Sequence, residues 1–260
     1  MDPNGKIALV TGGAMGIGFS ICQELLKAGV KAVIICDLDK QKGEAAVKNL
    51  SVEYGKDKVK FIKTDVTNSS EFEDAFKTTV GLYGGLDIVV NNAGISNDRN
   101  WEKEVQINLM AVIRGTLLGL QHMGKDKGGK GGIIVNMASI CGIYALPPLP
   151  MYTAAKHGVV ALSRSLGTEY HYNATGVRLA AMCPGITSTV LYNETVNNVY
   201  EDKWGEEWDR IRAEMKEQGP EYVAKGVVQL VRNAKSGSVW VSEECKPIYE
   251  VKVEVTKLVE

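Results

Sequence analysis

Short, continuously apolar runs alternate along the chain with longer segments whose apolar residues recur at helical spacing. Lys6-Ile-Ala-Leu-Val-Thr11 is the first such run, and a glycine cluster leads from it into a helix ending near Ala28. Ala32 to Asp37, Val59 to Lys63, Leu86 to Asn91, Ile133 to Met137, Gly176 to Met182 and Ser238 to Val241 repeat the strand pattern. Between them, helices are predicted over Lys40–Tyr54, Ser69–Tyr83, Gln106–Met123, Met151–Tyr172 and residues 221–233. Strands apolar on both faces, separated by helices, are the signature of a parallel sheet covered on both sides. Right-handed crossovers then give a doubly wound α/β fold of the Rossmann type, with about seven strands. No repeat, linker or low-complexity tract divides residues 1–260, so a single domain is expected.

Composition narrows the functional classes. A net charge of −1 supplies no field to draw in nucleic acid or an anionic membrane, so neither is expected as a partner. No window approaches the ~20 apolar residues of a membrane span, and the first residues lack the apolar core of a signal peptide. The five cysteines are scattered without a CxxC pair, which points away from a metal site and toward a reducing, cytoplasmic setting.

The candidate chemistry sits where the apolar strands end. Gly12, Gly16 and Gly18 lie between the first strand and first helix: the first for the turn, the second for close approach of a pyrophosphate, the third for tight packing of helix on sheet. With Met15 and Ile17 they place phosphates at a helix N-terminus, whose unpaired N–H groups and positive dipole favour anions. Asp37, followed by Leu38, ends the second strand, where a carboxylate accepts from adenosine ribose hydroxyls and repels the extra phosphate of NADP. NAD is therefore the expected cofactor. Asp65 and Val66, after the third strand, are placed to line the adenine pocket. Tyr152 and Lys156 are one helical turn apart on one face. A free phenol titrates near ~10, and a neighbouring ammonium favours its phenolate.

These motifs taken together (TGxxxGxG from Thr11, Asn91-Asn-Ala-Gly94, Ser139 ahead of Tyr152-Thr-Ala-Ala-Lys156, and Pro184-Gly185) resemble the short-chain dehydrogenase/reductase family over residues 6 to about 190. The resemblance implies that Tyr152 is the acid/base. Lys156 would lower its pKa and hold the nicotinamide ribose, Ser139 would position the substrate oxygen, and Asn108 would complete a proton relay through water. It further implies that Pro184, Gly185, Ile186 and Thr187 contact the nicotinamide, that Asn91 lies beside the adenosine-side ribose with Ala93 and Gly94 alongside, and that the chain forms a homodimer through the helices near 106–123 and 152–172.

Asn100–Lys103, Gln106–Leu109, Gly128–Asn136, Tyr152–Ser165 and Ser236–Trp240 are similar to the hydroxyprostaglandin and insect-type alcohol dehydrogenase branches. This implies NAD-linked oxidation of a secondary alcohol. The prostaglandin branch carries a glutamine three residues before its tyrosine; here that position is Leu149, which favours an apolar alcohol such as a steroid, terpenoid or fatty alcohol. Trp204, Trp208, Ile211 and Met215 form one helical stripe, either a substrate lid within about 188–219 or plain core packing. The tail from about 243 to 260 alternates Ile248, Tyr249, Val251, Val253 and Val255, as a pocket wall or a subunit contact. Two other functions fit the same motifs: a carbonyl reductase using NAD(P)H in the opposite direction, and a catalytically idle nucleotide-binding scaffold.

Overall fold

The computed structural model describes residues 1–252; Val253 and Val255 of the alternating tail lie outside the described residues. Chain order is β1 (Ile7–Thr11), α1 (Gly16–Lys27), β2 (Ala32–Asp37), α2 (Lys40–Tyr54), β3 (Val59–Lys63), α3 (Ser69–Tyr83) and β4 (Ile88–Asn91). There follow α4 (Trp101–Val105), α5 (Ala111–Met123), β5 (Gly132–Met137), α6 (Pro150–Leu166), α7 (Glu169–Thr175) and β6 (Val177–Pro184). The last elements are α8 (Val190–Glu194), α9 (Lys203–Glu214), α10 (Pro220–Asn233), β7 (Ser238–Ser242) and β8 (Tyr249–Glu250). The strands form one sheet in the order β3-β2-β1-β4-β5-β6-β7-β8, reversing direction of growth after β3. This is the doubly wound arrangement, and its switch point lies between β1 and β4.

The alternation of side chains along each strand divides the core in two. Ala8, Val10, Val33 and Ile35 face α1, α2 and α10, where Ile21, Leu25, Leu50 and Val227 are buried. Ile7, Leu9, Ala32 and Ile34 face the opposite layer, with Phe72 and Phe76 of α3 and Ala111 of α5. Val159 and Val160 of α6 cover β6 and β7 on that same side of the sheet. Polar residues within this second layer bond to one another. Asn91 Nδ2 donates to Asn136 Oδ1 (2.8 Å), and Asn136 Nδ2 donates to Ser163 Oγ (3.0 Å), linking β4, β5 and α6.

Three expectations are corrected. The sheet has eight strands rather than about seven: Tyr249 and Glu250 pair antiparallel with Val241 and Trp240. The helix expected over Met151–Tyr172 is two helices, because the chain turns at Gly167 and Thr168. Gly167 packs directly against Gly237, where an added Cβ would stand 2.3 Å from a backbone nitrogen. The helix expected from Gln106 begins earlier, at Trp101, and passes through a π-turn at Gln106–Met110 before α5. No helix among the described residues is long and apolar enough to cross a membrane.

Gly115 shows how tightly the second layer closes. A Cβ there would lie 2.1 Å from Asn91 Oδ1 and 2.9 Å from the Phe72 ring. Gly115→Ala is expected to destabilise the fold by about 1–3 kcal/mol, as overpacking of a dense core does. Urea unfolding with an unchanged m-value checks it.

Candidate active site

A cavity of about 600 Å3 runs across the carboxyl ends of the strands. Its first half is built by the β1–α1 turn. Gly12 adopts φ +61°, and a Cβ at Gly18 would stand 2.1 Å from the Gly12 carbonyl oxygen. Only glycine fits there. The N-terminus of α1 has no side-chain cap and no acidic residue in its first turn, so its N–H groups and dipole face the cavity unopposed. Asp37 stands at the rim, its Oδ2 accepting from Ala14 N–H (3.0 Å) and its Oδ1 from Asp39 N–H (3.1 Å). These two bonds aim the carboxylate and leave lone pairs open. Leu38, Asp65 and Val66 complete this end. Thr67 N–H and Oγ1 both donate to Asp65 Oδ1 and hold that carboxyl below its usual range.

The middle of the cavity holds the titratable cluster. Lys156 is buried and donates to the Met137 carbonyl oxygen (3.0 Å), with Nζ 5.5 Å from the centre of the Tyr152 ring. Burial pulls the Lys156 ammonium down to about 8. The same burial pushes the Tyr152 phenol above its ordinary range, and a hydrogen bond with Ser139 opposes that rise. The expected depression of the phenol is therefore not a property of helix spacing alone, since desolvation penalises both charged forms. Ser139 Oγ also accepts from Cys141 N–H (3.1 Å), which fixes the hydroxyl at the cavity wall. Ala93, Gly94 and the Pro184–Thr187 turn line the cavity around this cluster.

The far end is apolar. Leu149, Ile186, Tyr192, Val199 and Trp208 form one buried cluster, with Leu146, Trp204 and Met215 packed on it. The Tyr192 and Trp208 rings meet edge to face at 6.1 Å between centroids. Of the predicted apolar stripe, Trp208 and Met215 line the cavity, while Trp204 packs on the cluster from outside and on Tyr200.

Two predicted residues do not line the cavity. Asn91 is buried in the layer beneath it and bonded to Asn136 and Thr116. Its parity along β4 is that of Val89, which faces α3 and α5. The cavity is lined by Asn92 instead, whose Nδ2 donates to the carbonyls of Thr11 (3.0 Å) and Gly12 (3.1 Å) and so braces the glycine turn. Asn108 sits in the π-turn with no exposed surface. Its Oδ1 accepts from Ile95 N–H (2.9 Å) and its Nδ2 donates to the Ile95 carbonyl (2.7 Å), pinning the loop after β4. Both side-chain polar atoms are committed to backbone.

Sequence reasoning missed Asp98 and Glu104. Asp98 is buried and its two oxygens accept from the N–H groups of Met151 (3.0 Å) and Tyr152 (3.2 Å), at the start of α6. One signal was available. Leu149 precedes Pro150 as the N-cap of α6 and has no oxygen to cap with, so the cap had to come from elsewhere.

A fold of this topology, with a glycine-lined helix N-terminus beside a Tyr–Lys–Ser cluster, defines a dinucleotide-dependent oxidoreductase site. The family model described as short chain dehydrogenase matches residues 6–199. The NAD(+)-specific 15-hydroxyprostaglandin dehydrogenase of Homo sapiens is 39% identical over 243 residues, spanning 92% of this chain and 91% of that protein. Alcohol dehydrogenase 2 of Ceratitis capitata is 34% identical over 245 residues, spanning 94% of this chain and 93% of that protein. Among solved structures, levodione reductase superposes with a TM-score of 0.79 at 26% identity, over 92% of this chain and 96% of that one. The chain belongs to the short-chain dehydrogenase family.

Gly18→Ala is expected to weaken dinucleotide binding at least about tenfold, the equivalent of ~1.4 kcal/mol, because the new methyl forces the Gly12 carbonyl out of the turn. Titration of protein fluorescence with NADH checks it, with circular dichroism confirming that the fold survives.

Proposed function

We propose that the protein oxidises a secondary alcohol on an apolar molecule to the ketone, with NAD as hydride acceptor and Tyr152 as general base. The observation that carries this is the juxtaposition, in one cavity, of the Tyr152–Lys156–Ser139 cluster with a phosphate cradle on one side and an apolar wall on the other. The names of the curated relatives agree in reaction type and, for the human one, in cofactor.

The residues present fit NAD. The uncapped α1 N-terminus suits the pyrophosphate, the Gly12 and Gly18 positions leave room for it, and the Asp37 carboxylate suits ribose hydroxyls and repels a phosphate there. When bound, the dinucleotide supplies the ring that takes up the hydride. Ser139 hydrogen bonds the substrate oxygen and holds it toward the phenol. Tyr152 accepts the hydroxyl proton as the carbon–hydrogen bond breaks. Lys156 opposes the cost of the phenolate, its Nζ standing 5.5 Å from the centre of the Tyr152 ring. Asp37 disfavours the alternative of an NADP-linked reductase, and the intact Tyr152, Lys156 and Ser139 disfavour an idle scaffold.

Residues 188–219, with α8 and α9, serve as the substrate lid: Trp208 and Met215 give the apolar end its wall, and Leu149 removes a polar anchor from it. A bulky apolar alcohol, prostaglandin-like, steroid, terpenoid or fatty, matches that lining. A second copy docks along α5 and α6; Leu117 of α5 and Met110, just before it, stand exposed. The cytoplasm suits the free thiols of Cys22, Cys36, Cys141 and Cys183.

Tyr152→Phe is expected to lower kcat/KM for alcohol oxidation by ~10³-fold with the NAD dissociation constant within about twofold, since only the transferable proton site is lost. NADH absorbance with a panel of secondary alcohols, beside NAD titration, checks both. Asp37→Ala is expected to narrow the NAD-over-NADP preference by at least about tenfold; unaltered selectivity would refute the ribose contact.

A further inference from the structure

Tyr152 lies in the first turn of α6, and that turn is held from outside the helix. The N-cap residue Leu149 offers no oxygen, and Pro150 occupies the first helical position. Met151 N–H and Tyr152 N–H, the groups a capping side chain ordinarily takes, both donate to Asp98. Asp98 has no exposed surface and precedes the helix by about fifty residues. Behind it stands Glu104, also fully buried. Glu104 Oε1 accepts from Asn97 N–H (2.7 Å), while Oε2 has no donor from the rest of the protein. Glu104 is anchored on Asn97, the residue next to Asp98, so the two carboxyl groups act on one another, and in a dry site both cannot ionise cheaply. Asp98 meets two N–H groups at the positive end of a helix, so it is the carboxylate; the orphaned oxygen of Glu104 is satisfied by carrying the proton.

We propose that Asp98 and Glu104 form a proton-sharing pair that positions Tyr152 and sets the alkaline limit of activity. With one proton the pair carries one negative charge, and Glu104 donates to the carboxylate that caps α6. When that proton leaves for solvent, the pair carries two charges, the Glu104–Asp98 hydrogen bond is lost and the cap is pushed apart. The extra charge also falls beside the reacting groups. Negative charge on Glu104 and Asp98 raises the Tyr152 phenol and disfavours the phenolate that oxidation requires. The titratable groups around the pair and the reacting residues are Lys156, Tyr152, Cys141 and Cys183. Burial pushes the two thiols up to about 11 and about 12, so neither changes charge in the range where the pair does. Lys156, pulled down to about 8, does; negative charge on Glu104 favours its ammonium, so in Glu104→Gln a limb set by Lys156 moves down and one set by the pair moves up. Burial and the neighbouring Asp98 push Glu104 up to about 8, which places the transition there.

The turnover arm of the test rests on Tyr152 as the proton-transfer group; a melting arm does not. In the wild type, log kcat for alcohol oxidation is expected to turn downward near pH 8. Glu104→Gln keeps an acceptor for Asn97 N–H and a donor for Asp98 but has no proton to lose, so its downturn is expected to move up by at least about one pH unit. Asp98→Asn is expected to lower kcat about tenfold or more, with KM for NAD within about twofold, as displacement of a reacting group does.

Independently of turnover, a Glu104 whose folded-state value lies above its unfolded one contributes stability that is full below the unfolded value and drains as pH rises to about 8. The melting temperature of Glu104→Gln is therefore expected to gain several degrees on the wild type between about pH 5 and about pH 9. An alkaline limb that is unchanged in Glu104→Gln, or that moves down as one set by Lys156 would, overturns the catalytic part. A melting difference flat with pH would overturn the shared proton itself, even if no alcohol tested were oxidised.

Discussion

A lysine ammonium with almost no access to water is the constraint around which this site is organised. Lys156 is held by one carbonyl, that of Met137, beside a phenol ring, with two buried thiols acting on its charge. Such a charge persists only where something nearby makes use of it, because desolvation otherwise drives it neutral. The natural counterpart is the phenolate of Tyr152, whose formation the same dry surroundings oppose. Each charge is costly alone, and together they offset each other. On the proposed reading the site couples a proton acceptor to a cation held beside it.

The fold supplies the rigidity that this coupling requires. Lys156 and Tyr152 are on α6, the Met137 carbonyl is the end of β5, and Ser139 follows two residues later. Asn136, one residue before Met137, is tied to Asn91 on one side and to Ser163 of α6 on the other. Helix and strand are therefore stitched together directly beneath the reacting groups. Asn92 and Asn108 extend the same logic to the loop after β4, one bracing the glycine turn and the other clamping Ile95. Asn92 and Asn108 thus each hold a different piece of backbone.

The parallel strands were legible because each is an unbroken apolar run, and the glycine turn because its spacing has few other uses. The Tyr152–Lys156 pair was legible because two helical residues four apart must share a face. What escaped the sequence depended on parity, packing or distance. Asn91 and Asn92 are adjacent and chemically identical, and only the strand's pleat decides which one meets the cavity. Tyr249 and Glu250 form too short a strand to announce its antiparallel pairing. Gly167 ends α6 through its contact with Gly237, seventy residues away. The cap of that helix comes from Asp98, and no local pattern at either position reveals the other.

The most direct test of the central claim is an ultraviolet titration of the Tyr152 phenol in the complex with NAD, taken as the difference between the wild type and Tyr152→Phe near the phenolate absorption band. If the buried ammonium stabilises the phenolate as described, the phenol in that complex ionises well below the ~10 of a free tyrosine, and Lys156→Met moves it back up. A phenol that stays at or above its free value in the complex, with or without Lys156, would contradict the account.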